Sequence, residues 1–259
     1  DVNRRIDVLE TQSAAFREEG AALEQHLAEH RALPYMAGDA GFGTGDEPGS
    51  GRVLGYREPN GSTAGYRAFT DAFRGSEEHV RALQEGYVDL LRDHAPVLDL
   101  GCGRGELLDL LAGAGVAASG VDGDAEMTAA CVAKGLDVRQ GDAIAYLSDV
   151  PDGSLGAIVA MQVVEHLPAG ALDELLELSR AKLRDGGMLI AETVNPHALN
   201  ALKAFWVDPT HHHPLFPETL LELCRIAGFE RAYVTHPNGT GDVDADRFSA
   251  PAYAVVAQR

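Results

Sequence analysis

From Pro96 onward the sequence alternates short apolar runs with stretches of helical periodicity, and that alternation leaves few folds open. Residues 97–100, 117–121, 136–140, 155–160 and 188–194 read as five strands, with helices at 106–114, 125–134, 143–147 and 171–183 between them. Each crossover lays a helix against the sheet, so strict alternation buries both faces of parallel strands. A further helix at 217–228, strand-like runs at 229–234 and 253–257, and a polar loop at 237–249 predict closure by a late hairpin. The expected fold class is α/β: a doubly wound, mainly parallel sheet of seven strands, occupying residues 95–259.

The chain upstream of that domain is organised differently. Ile6, Leu9, Phe16, Leu23 and Leu27 follow a 3,4 spacing, with Ser13 and Gly20 at the two weak seam positions. Residues 1–35 therefore predict an N-terminal amphipathic helix that either pairs with a second copy as a short coiled coil, making a homodimer, or lies on the domain. Residues 36–62 turn to Gly, Asp, Pro and Ser and read as a linker. Residues 63–94 read as a helical lid segment in which Tyr66, Phe69 and Phe73 precede Arg74-Gly75-Ser76. Ser76, followed by Glu77, Glu78 and His79, has the signature of an N-cap for a helix ending near Asp93.

Composition excludes several functions. No run of apolar residues is long enough to span a bilayer, and no apolar signal core opens the sequence, so the cytoplasm is the expected compartment. The formal net charge of −19 repels phosphate backbones, which argues against a nucleic-acid partner. Cys102, Cys131 and Cys224 are odd in number and widely spaced, the pattern of reduced packing residues rather than a disulfide or zinc framework.

The first core strand runs into Asp99-Leu100-Gly101-Cys102-Gly103-Arg104-Gly105-Glu106 and then directly into a helix. Glycines there let main-chain N–H groups approach a ligand closely. The spacing departs from the dinucleotide fingerprint, and Asp99, two places before the first glycine, suits a cationic ligand better than a pyrophosphate. Gly120-Val121-Asp122 closes the second strand about twenty residues later, where doubly wound folds place the acid that binds ribose hydroxyls. Gly141-Asp142-Ala143 follows the third strand, with Asp142 placed to accept from an adenine amine.

These stretches, together with Gln162–Leu167, resemble the successive motifs of class I S-adenosylmethionine (SAM) dependent methyltransferases, over about residues 95–235. The resemblance implies a Rossmann-like methyltransferase domain with SAM as cofactor. It places Gly101 and Gly103 at the methionine part, Asp122 at the ribose, and Asp142 with Ala143 at the adenine. A narrower resemblance rests on Tyr66-Arg67-Ala68-Phe69, Phe73-Arg74-Gly75-Ser76, the stretch 162–167, and Asp208-Pro209-Thr210-His211 followed by Pro214. These are similar to methyltransferases of bacterial polysaccharide assembly, some of them halves of bifunctional enzymes that cap O-antigen chains. The sequence contains no kinase segment like theirs, which does not favour a phosphate acceptor.

Methyl transfer is an in-line displacement, so the protein must mainly align the acceptor and exclude water. A hydroxyl acceptor also needs a base. If 162–166 turns helical, Gln162, Glu165 and His166 gather on one side at the carboxyl end of the sheet. His166 is the expected general base and Glu165 its orienting partner, while His211 is expected in the substrate wall. Arg74, with Tyr66 nearby, is expected over the cofactor, its planar fork suiting either the methionine carboxylate or an acidic acceptor. Gln162 completes the expected cofactor contacts, and Asn195 is a further candidate for the acceptor pocket. Three consecutive histidines cannot all face one ion from a regular element, although a loop could present two with Asp208. No metal is expected. The predicted function is methylation of a sugar or glycan-linked hydroxyl. The alternatives are a small-molecule or natural-product N-, O- or C-methyltransferase and a non-catalytic SAM-binding scaffold.

Overall fold

The computed structural model describes residues 43–55 and 74–259. The N-terminal helix expected at 1–35 and the residues of the expected lid before Arg74, Tyr66 among them, lie outside the described residues. Within the stretch read as a linker, β1 (Gly43–Glu47) and β2 (Gly51–Gly55) pair antiparallel around Pro48-Gly49-Ser50. Gly49 and Gly51 supply the positive φ values (83° and 71°) that close the turn.

The domain opens with α1 (Glu77–Gln84) and α2 (Gly86–Leu91). Ser76 caps α1 as its sequence indicated, its side chain accepting from the His79 N–H. The alternating elements then follow: β3 (Val97–Leu100), α3 (Glu106–Gly113), β4 (Ala118–Asp122), α4 (Ala125–Ala133), β5 (Val138–Gln140), α5 (Ala143–Asp149) and β6 (Leu155–Met161). A 3₁₀ turn at Val164–His166 leads to α6 (Ala169–Lys182) and β7 (Leu183–Val194). The chain ends with α7 (Leu199–Phe205), α8 (Pro217–Ile226), β8 (Arg231–Thr235), α9 (Val243–Ser249) and β9 (Ala252–Gln258).

Seven strands form one sheet in the order β5-β4-β3-β6-β7-β9-β8, parallel except where β9 runs antiparallel to β7 and β8. Side chains alternate across it. Leu98, Leu100, Ile158, Ala160, Leu189 and Val255 face one core with Leu172, Leu175 and Leu220 from α6 and α8. Val97, Ala157, Val159, Ile190 and Val256 face the other with Tyr87, Leu91, Leu107 and Leu111 from α2 and α3. Burial on both faces is why these strands read as continuous apolar runs.

Besides the β1–β2 hairpin in the expected linker, two helices depart from the sequence reading. The polar loop at 237–249 holds α9, capped by Asp242 and braced by the buried Asp246, which accepts from the N–H groups of Thr240 and Gly241. α7 sits beyond β7 where no element was expected, and buries Ala201 and Phe205 against Val194. All three cysteines are buried and free. Among the described residues no helix is long and apolar enough to cross a membrane.

Candidate active site

The chain leaves β3 for β4 on one side and later returns to β6 on the other, so a crevice opens at the carboxyl ends of β3 and β6, where doubly wound sheets bind ligands. Its floor is the glycine turn. Gly101 (φ 68°) and Gly103 (φ 55°) adopt left-handed backbone, and both are closely approached by side chains. A Cβ on Gly101 would lie 2.6 Å from Val163 Cγ2, and one on Gly103 2.7 Å from the Arg74 guanidinium. Arg74 is thus seated over the glycine turn although it lies well before β3 in the chain.

Arg104 and Glu106 hold it there, and sequence reasoning gave neither a role. The buried Arg104 donates through Nε to Glu106 Oε1 (2.7 Å) and through both terminal nitrogens to the Gly75 carbonyl (3.1 Å each). Lys134 of α4 donates to the Arg104 carbonyl (2.8 Å) and to Glu77 in the first turn of α1 (2.6 Å), and Arg81 pairs with Asp109 of α3. The start of α1 is therefore clasped to the glycine turn.

Asp99 is buried in β3, and its carboxyl is pushed up to about 8 by burial, against the opposing pull of Arg74 and with help from Glu106 and Asp122. Asp122, at the end of β4, accepts from Gly103 N–H at Oδ2 (2.7 Å) and from Asp124 N–H at Oδ1 (2.8 Å). Each oxygen keeps a second lone pair for a diol. Asp142 is exposed and caps α5 with Oδ1, accepting from Ala145 N–H. Ala143, at the first helical position, presents a backbone N–H that helix geometry leaves without an intrahelical partner.

The stretch after β6 is not α-helical, and it divides the three residues expected on one side. Gln162 adopts φ 56°, a conformation costing roughly 1–3 kcal/mol in a non-glycine residue. Two bonds to Glu192 offset that strain: Gln162 N–H to the Glu192 carbonyl (2.8 Å) and Gln162 Nε2 to its carboxylate (3.0 Å). Glu192 is buried in β7 and accepts also from the Tyr87 hydroxyl of α2; burial raises its carboxyl despite the lowering pull of Tyr87, Gln162 and Arg74. A carboxylate inside the apolar run 188–194 was the signal available for it.

Glu165 and His166 turn instead toward the loop at 208–213, which is stitched to the 3₁₀ turn by His212 N–H donating to the Glu165 carbonyl (2.9 Å). The His166 and His211 rings meet edge to face, centroids 4.6 Å apart. Thr210 donates its single hydroxyl proton to Asp208 Oδ1 (2.6 Å) and so accepts from His166 Nδ1–H (2.9 Å). His211 Nδ1–H donates to the Phe205 carbonyl (2.6 Å). In a neutral ring each of these bonds puts the proton on Nδ1 and leaves the Nε2 lone pair open. Burial and the neighbouring His211 hold His166 below its ordinary range, favouring the neutral ring. Glu165 is fully buried, and its carboxyl is pushed up to about 8, chiefly by burial. Its own backbone N–H and the Thr193 hydroxyl favour the anion, but neither closes a hydrogen bond to it, and both carboxylate oxygens are without one.

Asn195 is not in an acceptor pocket. It is fully buried, donates to the carbonyls of Arg247 and Ala250 (3.0 and 2.9 Å) and accepts from His197 N–H (3.1 Å), tying β7 to the end of α9. A satisfied buried amide has nothing left for a substrate.

A doubly wound sheet with a glycine turn after the first core strand and a carboxylate closing the second defines a Rossmann-like protein that binds a nucleoside cofactor. Comparison with known proteins takes this further. The family described as "Methionine biosynthesis protein MetW" matches residues 81–183. A probable S-adenosylmethionine-dependent methyltransferase of Mycolicibacterium smegmatis is 33% identical over 156 residues, covering 58% of this chain; the chain spans 58% of that relative's length. A crystal structure of a SAM-dependent methyltransferase from Archaeoglobus fulgidus matches with TM-score 0.68 and 31% identity, over 75% of this chain and 100% of that one. A structure described as PigF with SAH (TM-score 0.52, 20% identity, 71% of this chain and 58% of that one) shares the fold. The chain belongs to the SAM-dependent methyltransferases, and SAM is its cofactor.

Proposed function

We propose that the protein methylates a hydroxyl of a sugar or glycan-linked acceptor. The observation that carries this reading is the pair of imidazoles beside the crevice, each fixed through Nδ1 so that Nε2 keeps its lone pair. A neutral amine or an already ionised nucleophile attacks without help, whereas a hydroxyl must lose its proton during attack, and a basic group nearby then contributes typically 10²–10⁴-fold. His166 is the proton acceptor of the pair, Thr210 and Asp208 orienting its ring, with Glu165 beside it and His211 in the acceptor wall. The glycan part of the proposal rests on the resemblance of 66–76, 162–167 and 208–214 to enzymes of polysaccharide assembly.

The cofactor residues fit SAM. Arg74, held over Gly103 by the Arg104 clasp, pairs with the methionine carboxylate, and Asp99 faces its ammonium group. Gly101 and Gly103 offer backbone rather than side chain at closest approach. Asp122 accepts from the ribose diol, Asp142 Oδ2 and the Ala143 N–H meet the adenine edge, and Gln162 closes the methionine end. When bound, SAM supplies an electrophilic sulfonium methyl group. The protein's part is to exclude water, orient the acceptor oxygen and take up its proton.

The test is methyl transfer from labelled SAM to a panel of sugars, phosphosugars, aglycone alcohols and amines. Label on a sugar oxygen supports the reading. Transfer confined to nitrogen or carbon acceptors would replace it with the small-molecule alternative, and tight SAM binding without turnover on any of them would leave a scaffold.

A further inference from the structure

We propose that Glu165, His166 and His211 form a binding site for one divalent first-row transition ion. The inference rests on reading this cluster as the acceptor-activating end of the site, and it changes one role there: the His166 Nε2 lone pair goes to the ion, the ion acidifies the hydroxyl beside it, and the proton leaves to water.

Each of the three residues offers a ligand atom, and the three atoms lie within 4.8 Å of one another. The electrostatics of the cluster ask for a cation. Both ring N–H groups are committed outward, to Thr210 Oγ1 and to the Phe205 carbonyl, so each ring is left with an Nε2 lone pair. Glu165 contributes two oxygens that accept no hydrogen bond at 0% exposure. Lone pairs and an unpartnered buried carboxylate converging on one point are unfavourable unless something positive sits among them. The outward bonds are also those that metal-ligating histidines make, since an acceptor on the far nitrogen fixes the tautomer and raises ligand basicity. Asp208, whose Oδ2 is 4.0 Å from His211 Nε2, adds negative charge at the rim.

The donor set selects the ion. Two imidazoles and one carboxylate suit Mn²⁺, Fe²⁺, Co²⁺ or Zn²⁺, whereas Mg²⁺ and Ca²⁺ prefer oxygen alone. Three protein ligands leave positions open, as catalytic rather than purely structural sites do. An ion there acts as a Lewis acid that lowers the pKa of a hydroxyl beside it. The consecutive histidines concealed the site in the sequence: only His211 of the three contributes, and its partners come from the 3₁₀ turn some 45 residues earlier.

The test uses the full chain, stripped with chelator and titrated calorimetrically with Mn²⁺ and with Zn²⁺. One equivalent is expected in the wild type, with a rise in melting temperature on binding. Glu165→Gln and His211→Ala should each weaken binding by roughly a hundredfold or more, and Thr210→Val, which removes the acceptor behind His166 together with the hydroxyl's bond to Asp208, by about 10–100-fold. His212→Ala, changing an exposed neighbour, should leave stoichiometry and affinity unchanged. A wild type that binds no more ion than Glu165→Gln and His211→Ala overturns the site, as does loss of binding in His212→Ala alone. Should one variant fail to fold, the others decide. Methyl transfer to hydroxyls that persists undiminished in chelator sinks the metal and leaves His166 as base; stoichiometric metal binding without transfer to any hydroxyl keeps the site and sinks the proposed reaction.

Discussion

At the glycine turn most strong polar groups are engaged: Asp122 takes two backbone N–H groups, Asp142 caps a helix, and Arg104 is shared between Glu106 and Gly75, with one Glu106 oxygen, Oε2, left without a partner. Across the crevice, after β6, Glu165 is more deeply buried than any of these yet neither of its oxygens is bonded, and the Thr193 hydroxyl is likewise unmatched. The first region is largely braced by its own hydrogen bonds before any ligand binds. The second holds buried polarity at a free-energy cost that only a bound proton, ion or substrate can recover, which is the signature of a place where chemistry happens.

The comparison breaks most sharply at His166. His166→Ala should depress kcat by roughly 10²–10⁴ while SAM affinity stays nearly intact, because the proposed reaction uses the residue only at the acceptor end. Steady-state rates with the sugar acceptor and calorimetry with SAM check both halves. Near-normal turnover in this variant would mean that the unmatched cluster is not the reactive one.

Next in size is the clasp. Arg104→Ala leaves Glu106 buried without its cation, a change worth about 3–5 kcal/mol of stability when one member of a buried pair is removed. A large fall in melting temperature is expected, and at temperatures where the variant stays folded KM for SAM should rise more than kcat falls, because Arg74 is no longer held over Gly103. A variant that melts normally and binds SAM normally would detach the start of α1 from the cofactor site.

Asp122→Ala comes third. Loss of charge-assisted bonds to the ribose, worth roughly 1.5–3 kcal/mol, weakens SAM about tenfold to a hundredfold. Because Asp122 also braces the turn through Gly103, Asp122→Asn should recover part of the loss by keeping one acceptor oxygen. Equal losses in both variants would show that charge, not bracing, is what Asp122 supplies.

What was legible in the sequence follows the same division. The glycine turn, Asp122 and Asp142 were readable because each lies within a few residues of the strand end that positions it, and local spacing encodes local geometry. The inner strands were readable because their buried apolar runs are long against the turns between them, while the edge strands β5 and β8, more polar, were placed by their position in the alternation. α7 and α9 were not: both are short, and α9 is Asp-rich and held by a buried capping network that leaves no periodic trace. Arg104's partner Gly75 lies 29 residues away, and the contact between His166 and Thr210 spans 44. Such pairings exist only once the chain has folded. The grouping of Gln162 with Glu165 and His166 on one helical side failed for another reason: helical spacing was assumed, but a left-handed residue set by two bonds to Glu192 turned the chain before an α-helix could start.

The smallest expected effect concerns Asp99, a buried carboxyl of the glycine-turn end that burial raises as it raises Glu165. Burial raises its carboxyl from 3.8 to about 8, so the folded protein holds a proton that the unfolded chain releases in acid. The contribution to stability is present in full below about pH 4 and is lost as pH rises through the folded value near 8. Wild-type melting temperature should therefore decline gently from pH 5 to 8, and Asp99→Asn should flatten part of that slope. Glu165 and Glu192, raised in the same direction, keep the remainder. A second consequence distinguishes a recognition role from a packing one. If Asp99 faces the ammonium group of SAM, binding favours its ionised form, and at pH 7 the protein should release up to one proton for each SAM bound. Calorimetry in buffers of different ionisation enthalpy measures that release directly. It should vanish in Asp99→Asn; a proton count unaltered by the substitution would return Asp99 to the core and leave Arg74 alone at the methionine end.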